Sequence, residues 1–158
     1  MIKHLVLDID GVLTTGHFYY SEDGKMFKVF GPHDRDGIKL AESLGLTIDF
    51  ITADASGFNI AYARIVTDWG FDLMQLTLVS EGKRMAWLEK KFNLDEVAYM
   101  GDGIHDAPLL SAVAVGIAPN SARREAKLAA NYVTESNAGS GAVLDAVLIL
   151  QELMQYKN

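Results

Sequence analysis

The sequence predicts an α/β protein, a doubly wound and mostly parallel sheet with helices on both faces. Short apolar runs, partly β-branched, alternate with amphipathic helical segments along nearly the whole chain. Those runs stop at Asp, Thr and Gly residues, as strands do where a loop leads into a crossover helix. At 158 residues, 49% hydrophobic and 22% charged, the chain has the length and composition of one globular domain (residues 1–158). A chain of this size buries roughly 70% of its unfolded surface without disulfide or structural metal.

Ile2–Ile9 reads as the first buried strand. Phe18–Tyr20 and Met26–Phe30 flank Ser21–Glu22–Asp23–Gly24, a hairpin signal, and define a flap at about residues 16–30. Asp34–Leu44 carries Ile38, Leu40, Ala41 and Leu44 at helical spacing, with Gly45 suited to end the helix. Leu46–Ile51 is the next strand of the main sheet. Ser56 is placed to cap a helix to about Trp69, and Phe71–Leu76 reads as a third strand. Glu81–Phe92 is helical, Glu96–Met100 a strand, Asp106–Val113 a helix and Ala114–Ile117 a strand. Ser121 is expected to cap a helix to about Ala130; Tyr132–Val133 is a last short strand, and Gly141–Met154 the closing helix.

Composition narrows the function. The chain has no cysteine, which excludes disulfide scaffolds, Cys-ligated zinc and thiol nucleophiles. Fourteen Lys and Arg face 21 Asp and Glu, a formal charge of −7. That balance argues against nucleic-acid and anionic-membrane partners. No apolar stretch approaches the ~20 residues that span a bilayer, and Met1–Leu7 runs straight into Asp8 without a cleavage pattern. A cytoplasmic protein is expected.

Ligands of such sheets bind at the C-terminal ends of the strands, and those ends carry the chemistry. Asp8 and Asp10 close the first strand; residues i and i+2 share a face, so two carboxylates emerge together. Thr52 ends the second, Lys83 opens the helix after the third, and Gly101–Asp102 follows the fourth, with Asp106 four residues on. A carboxylate is a competent nucleophile at phosphorus. A hard divalent cation, Mg²⁺ by preference, would offset the clustered negative charge. A hydroxyl and an ammonium suit a phosphoryl group, and a carboxylate beside another carboxylate suits a general acid.

Asp8-x-Asp10-Gly11-Val12-Leu13-Thr14, Ile51-Thr52, Lys83 and Gly101-Asp102-x-x-x-Asp106 resemble the four motifs of the haloacid dehalogenase (HAD) superfamily. The resemblance covers nearly the whole chain. The hairpin, Asp34-x-x-Gly37-Ile38 and Gly139-Ser140-Gly141-Ala142-Val143 are similar to a capless subfamily. It contains 3-deoxy-D-manno-octulosonate 8-phosphate phosphatase and the sialic-type 9-phosphate phosphatases. The resemblance implies Asp8 as nucleophile and Asp10 as acid/base. It implies a Mg²⁺ site of Asp8, Asp10 through its backbone carbonyl, and Asp102. Thr52, Ala53 and Lys83 would hold the phosphoryl group, with Asp106 near the metal or positioning Lys83. It also implies a small phosphorylated substrate, a sugar or sugar-acid phosphate, and a homotetramer in which the hairpin touches a neighbour.

The order of motifs separates this reading from a receiver domain, whose acidic pair precedes the phosphoacceptor and whose Lys comes last. No inserted cap fits between Asp8 and Thr52 or between Thr52 and Lys83, which disfavours a phosphomutase. A non-catalytic oligomerisation or regulatory module keeping the fold is the alternative, and the intact Asp8, Asp10, Lys83 and Asp102 argue against it. Three positions depart from the subfamily. Asp54 stands where arginine is usual after Ile-Thr-Gly, Ser140 where arginine follows Gly-Gly, and His33 where arginine is common. Arginine suits bidentate carboxylate recognition, so these changes predict a less acidic or differently shaped substrate unless Arg35 compensates. His105, before Asp106, reads as a partly exposed loop residue; His4 has no expected role. Trp69 and Trp87 read as packing residues. The aromatics Phe18, Tyr19, Tyr20 and Phe27 read as an intersubunit surface, because a lone hairpin is marginal in water.

Overall fold

A computed structural model describes residues 1–155. Its main sheet contains β1 (His4–Asp8), β4 (Thr47–Thr52), β5 (Leu76–Leu78), β6 (Val97–Met100), β7 (Val115–Ala118) and β8 (Tyr132–Val133). A separate antiparallel hairpin, β2 (Thr14–Ser21) and β3 (Gly24–Phe30), leaves the end of β1. The helices are α1 (Asp34–Ser43), α2 (Phe58–Tyr62), α3 (Arg84–Lys91), α4 (Ala107–Ala112), α5 (Arg124–Ala129) and α6 (Ala142–Gln155). The sheet order is β5-β4-β1-β6-β7-β8, with every neighbouring pair parallel. The chain runs outward from β1 through β4 to β5, then returns to the other side of β1 at β6. That reversal makes the carboxyl end of β1 the switch point where a crevice opens.

Alternation along the strands divides the core in two. Leu5, Leu7, Ile48, Phe50, Ala98 and Met100 face α1, α2 and α6, where Ile38, Ala61, Val143 and Val147 meet them. Val6, Ile51, Val97 and Tyr99 face the other way, against Leu88, Leu109, Leu110 and Ala126 of α3–α5. Both faces of the central strands are covered, as a parallel sheet requires. Burying one such aliphatic side chain is worth roughly 1.5–3 kcal/mol. Trp69 packs with Phe50 and Trp87 with Phe92, so both tryptophans are packing residues. No described helix is long and apolar enough to cross a membrane.

The expected elements are present, with shifted boundaries. Phe71–Leu76 is not a strand: Asp72 Oδ1 accepts a hydrogen bond from Met74 N and Gln75 Oε1 accepts one from Asp72 N, closing a 3₁₀ turn over Leu73–Gln75. The strand begins only at Leu76. Ser121 does not cap its helix, because its hydroxyl accepts from Ala138 N and the helix starts at Arg124. Ser56 likewise gives its hydroxyl to Asp54, and α2 starts after Gly57 before widening into a π-type turn over Ala63–Asp68. The hairpin is longer than expected, starting at Thr14 directly after the β1 turn.

Candidate active site

The site is built where β1, β4 and β6 end. Beyond β1 the chain turns sharply through Asp10 and Gly11. Gly11 sits at φ 81°, and a β-carbon there would run into the Asp102 carboxylate, so only glycine lets the two loops approach. Thr14 fastens the turn by accepting from Gly11 N and Gly16 N. Asp8, 4% exposed, accepts from Ile9 N at 2.9 Å.

The cation that meets Asp8 is Arg84. Its Nη1 and Nη2 donate to Asp8 Oδ2 and Oδ1 at 2.9 and 3.2 Å, and Nη1 also reaches Asp106 Oδ1 at 2.7 Å. Lys83, expected at the phosphoryl group, is exposed in the 3₁₀ turn that precedes α3. Leu88 gives the reason: it faces the core from α3, and one helical turn earlier is position 84, not 83. That phase was available in the sequence as a signal for Arg84. Burial opposes the Arg84 charge, but Asp8, Tyr99 and Asp106 outweigh it and raise its pKa further.

Asp106 organises the loop after β6. Its Oδ1 accepts from Tyr99 Oη at 2.5 Å as well as from Arg84; its Oδ2 accepts from Asp102 N and Gly103 N at 3.1 and 2.9 Å. Both oxygens are therefore engaged in holding Asp102 and Arg84. Asp8, Asp102 and Asp106 present carboxylate oxygens within 4.8 Å of one another. Burial, with the Asp106 charge, pushes Asp102 up to about 6. Burial also raises Asp8 well above the usual carboxylate range, against the pull of Arg84. One guanidinium does not neutralise three clustered carboxylates, two buried and one partly so. The donor set is all hard oxygen, and a divalent cation with oxygen ligands fits it. The Asp10 side chain lies outside this cluster.

Asp10 instead faces β4 and the hairpin. Thr52 Oγ1 donates to Asp10 Oδ2 at 2.8 Å and accepts from Asp54 N at 3.1 Å. Lys28 of β3, with a fully buried side chain, places Nζ 2.7 Å from Asp10 Oδ1 and 3.0 Å from Asp54 Oδ2. Lys25 Nζ pairs with Asp54 Oδ2 at 2.5 Å and lies 3.9 Å from the Phe18 ring centroid. Burial works to raise the Asp54 pKa, but hydrogen bonds from Lys25, Lys28 and Ser56 win and hold it well below the usual range. Neither lysine was singled out in the sequence.

The cleft between these groups has a volume of about 330 Å³, and Asp8, Ala53, Asp54, Arg84 and Asp102 line it. His105 lies at its edge, 3.3 Å from Glu81 and exposed. Arg35 lies elsewhere: it stacks on Trp69 and Phe71 and donates to Trp69 O. His33 precedes α1 at φ 70° with no side-chain capping bond. Ser140 is exposed in the loop before α6. His4 bonds Thr47 and packs on Phe92 at the opposite end of β1. The hairpin leaves Phe18, Tyr19, Tyr20 and Phe27 exposed.

An Asp-ended central strand at a sheet switch point, with a second acidic loop and a basic side chain behind it, defines a hydrolase of the haloacid dehalogenase type. The haloacid dehalogenase-like hydrolase profile matches residues 83–147. The chain is 31% identical over 153 residues to the 3-deoxy-D-manno-octulosonate 8-phosphate phosphatase KdsC of Salmonella typhi, covering 94% of this chain and 79% of that one. Among solved structures, a probable YrbI family phosphatase from Pseudomonas syringae superposes with a TM-score of 0.82 at 29% identity, over 96% of this chain and 85% of that one. The Moraxella catarrhalis 3-deoxy-D-manno-octulosonate 8-phosphate phosphatase, solved with magnesium, phosphate and the sugar acid, shares the fold. Its TM-score is 0.79 at 24% identity, over 95% of this chain and 86% of that one. The chain belongs to this family of HAD phosphatases and is an enzyme of that class.

Proposed function

We propose that the protein is a Mg²⁺-dependent phosphomonoesterase that hydrolyses a small sugar or sugar-acid phosphate through an aspartyl phosphate on Asp8. The carrying observation is the placement of Asp8, buried at the mouth of β1 against Arg84 and within reach of Asp102. The relatives' named substrate, a phosphorylated octulosonate, supports the sugar-acid class.

In this reading an Asp8 oxygen attacks phosphorus as the bond to the leaving oxygen breaks. Asp10, across the cleft on Thr52, gives that oxygen its proton. Asp10 then takes a proton from water as the water attacks the aspartyl phosphate, releasing phosphate and restoring Asp8. Ala53 lines the cleft, and its backbone would meet a phosphoryl oxygen; the buried Thr52 hydroxyl would join it by exchanging its bond to Asp10 for one to the phosphoryl group. Arg84 takes the part expected of Lys83, orienting Asp8 and balancing charge at the phosphoryl group. Asp8, Asp102 and the Asp10 backbone carbonyl would hold Mg²⁺, which supplies Lewis-acid charge neutralisation there. Asp106 positions Asp102 and Arg84.

The unit is one catalytic domain with residues 14–30 as a flap. The exposed aromatics of that flap support a homotetramer in which a neighbour covers the cleft and limits water. A soluble metabolite substrate is consistent with a cytoplasmic enzyme. A panel of phosphorylated sugars and sugar acids, assayed for phosphate release with and without Mg²⁺, tests the reading. Mg²⁺-dependent release from sugar-acid or sugar phosphates is expected. No release from any member would leave a non-catalytic module.

A further inference from the structure

The hairpin brings two lysines to one face where plain alternation would separate them. Residues 25 and 28 of an undisturbed strand point to opposite sides. In β3 the register slips: Tyr19 pairs with Phe27, while Tyr20 pairs with Lys25, so Met26 is an extra residue. That bulge returns Lys25 to the face that carries Lys28 and Phe18, and bulges re-aim side chains in this way. Gly57 makes room beneath them, since a β-carbon there would strike the Asp54 carboxylate and approach Lys28 Cε to 2.6 Å.

Asp54 is saturated by this arrangement. One oxygen accepts from Ser56, and the other takes both ammonium groups. Lys28 is fully buried and also committed to Asp10. Lys25, with 6% of its side chain exposed, differs in reaching the cleft, which it lines with Phe18, Ala53, Asp54, Glu81 and His105. An ammonium has three donors. One is spent on Asp54 and the Phe18 ring covers one side, which leaves Lys25 a donor for a ligand in the cleft. The two lysines balance Asp54 and Asp10, so this corner of the cleft is neutral beside a site otherwise crowded with carboxylates.

We propose that Lys25, positioned by Asp54 and the bulge, is the specificity-determining cation of the enzyme and receives a carboxylate on the leaving group of the phosphorylated substrate. This rests on the phosphatase reading above and deepens it. The cation comes from the hairpin of the same chain, and it makes the departures from arginine at positions 54 and 140 compatible with a sugar-acid substrate.

The test compares a phosphorylated ulosonic acid with a neutral sugar phosphate of similar size, in wild type, Lys25→Met, Lys25→Arg and Asp54→Asn, each checked by thermal melting. The ratio of kcat/KM for acid over neutral substrate should fall at least tenfold in Lys25→Met, mainly through KM. Lys25→Arg should recover most of it, and Asp54→Asn should fall in the same direction. Equal ratios in wild type and Lys25→Met, or a wild type that prefers the neutral ester, would overturn the assignment. Mg²⁺-dependent hydrolysis of p-nitrophenyl phosphate by the wild type reports the phosphatase reading separately. Calorimetry with the free ulosonic acid reads the subsite without turnover. Wild type should bind it at least tenfold more tightly than Lys25→Met, and equal or absent binding would reject the subsite even in an inactive protein.

Discussion

Removing Arg84 tests which side chain balances the acidic cluster. Its guanidinium bonds two buried carboxylates at once, Asp8 at 4% and Asp106 at 2% exposure. Arg84→Met keeps the apolar stem but leaves both acids without their cation. Breaking a buried pair in this way costs about 3–5 kcal/mol. For a chain of this length each kcal/mol moves the melting point by roughly 2–4 °C, so a drop of about 6–20 °C is expected in metal-free buffer. Turnover should fall with it, because Asp8 loses both of its bonds from Arg84 and keeps only the one from Ile9 N. Lys83→Met is the companion variant: Lys83 is exposed, and an exposed substitution stays within about 0.5 kcal/mol, or roughly 2 °C. Differential scanning calorimetry with EDTA, followed by phosphate-release kinetics with Mg²⁺, reads both variants. A large loss in Lys83→Met beside a near-native Arg84→Met would refute the assignment.

Three further outcomes follow from the same electrostatics. Saturation with Mg²⁺ at about a hundred times its Kd should stabilise the protein by about 2.7 kcal/mol, seen as a melting point raised by roughly 5–10 °C; Asp102→Asn should lose most of that rise. Asp102 is pushed up to about 6 by burial and by Asp106, and a bound cation must displace its proton. Mg²⁺ affinity, measured by calorimetry, should therefore weaken as pH falls through 6, approaching tenfold per pH unit below it. Asp34 accepts from Gly141 N and Val143 N at the start of α6, and burial outweighs those bonds to raise its pKa to about 6. Its folded pKa lies above the unfolded value near 3.9, so its contribution favours the fold below that value and is lost as pH rises to about 6. Asp34→Asn should flatten that part of the stability profile, and an unchanged slope between pH 4 and 6 would contradict it.

The fold was legible because its signals are local. The apolar runs in β1, β4 and β6, and the glycine that ends α1 at φ 79°, follow from residue type and period. Asp8, Asp10 and Asp102 were legible as candidates because each lies at, or within two residues of, the carboxyl end of a strand. What was missed depends on phase and register. Lys83 was chosen by residue type, whereas the helical phase set by Leu88 turns Arg84 inward. Lys25 and Lys28 were hidden because their spacing contradicts strand alternation, and the bulge at Met26 that reconciles them is a property of the β2–β3 pairing. The start of β5 was misplaced because Asp72 and Gln75 close a turn through side-chain bonds that compete with the strand.

The most direct measurement mixes wild-type protein and Mg²⁺ with a ³²P-labelled sugar-acid phosphate, quenches in acid within the first turnover and maps the label by proteolysis. Transient label is expected on the peptide that contains Asp8, absent in Asp8→Asn along with turnover. Steady phosphate release by an Asp8→Asn protein, or label on another residue, would contradict the role of Asp8.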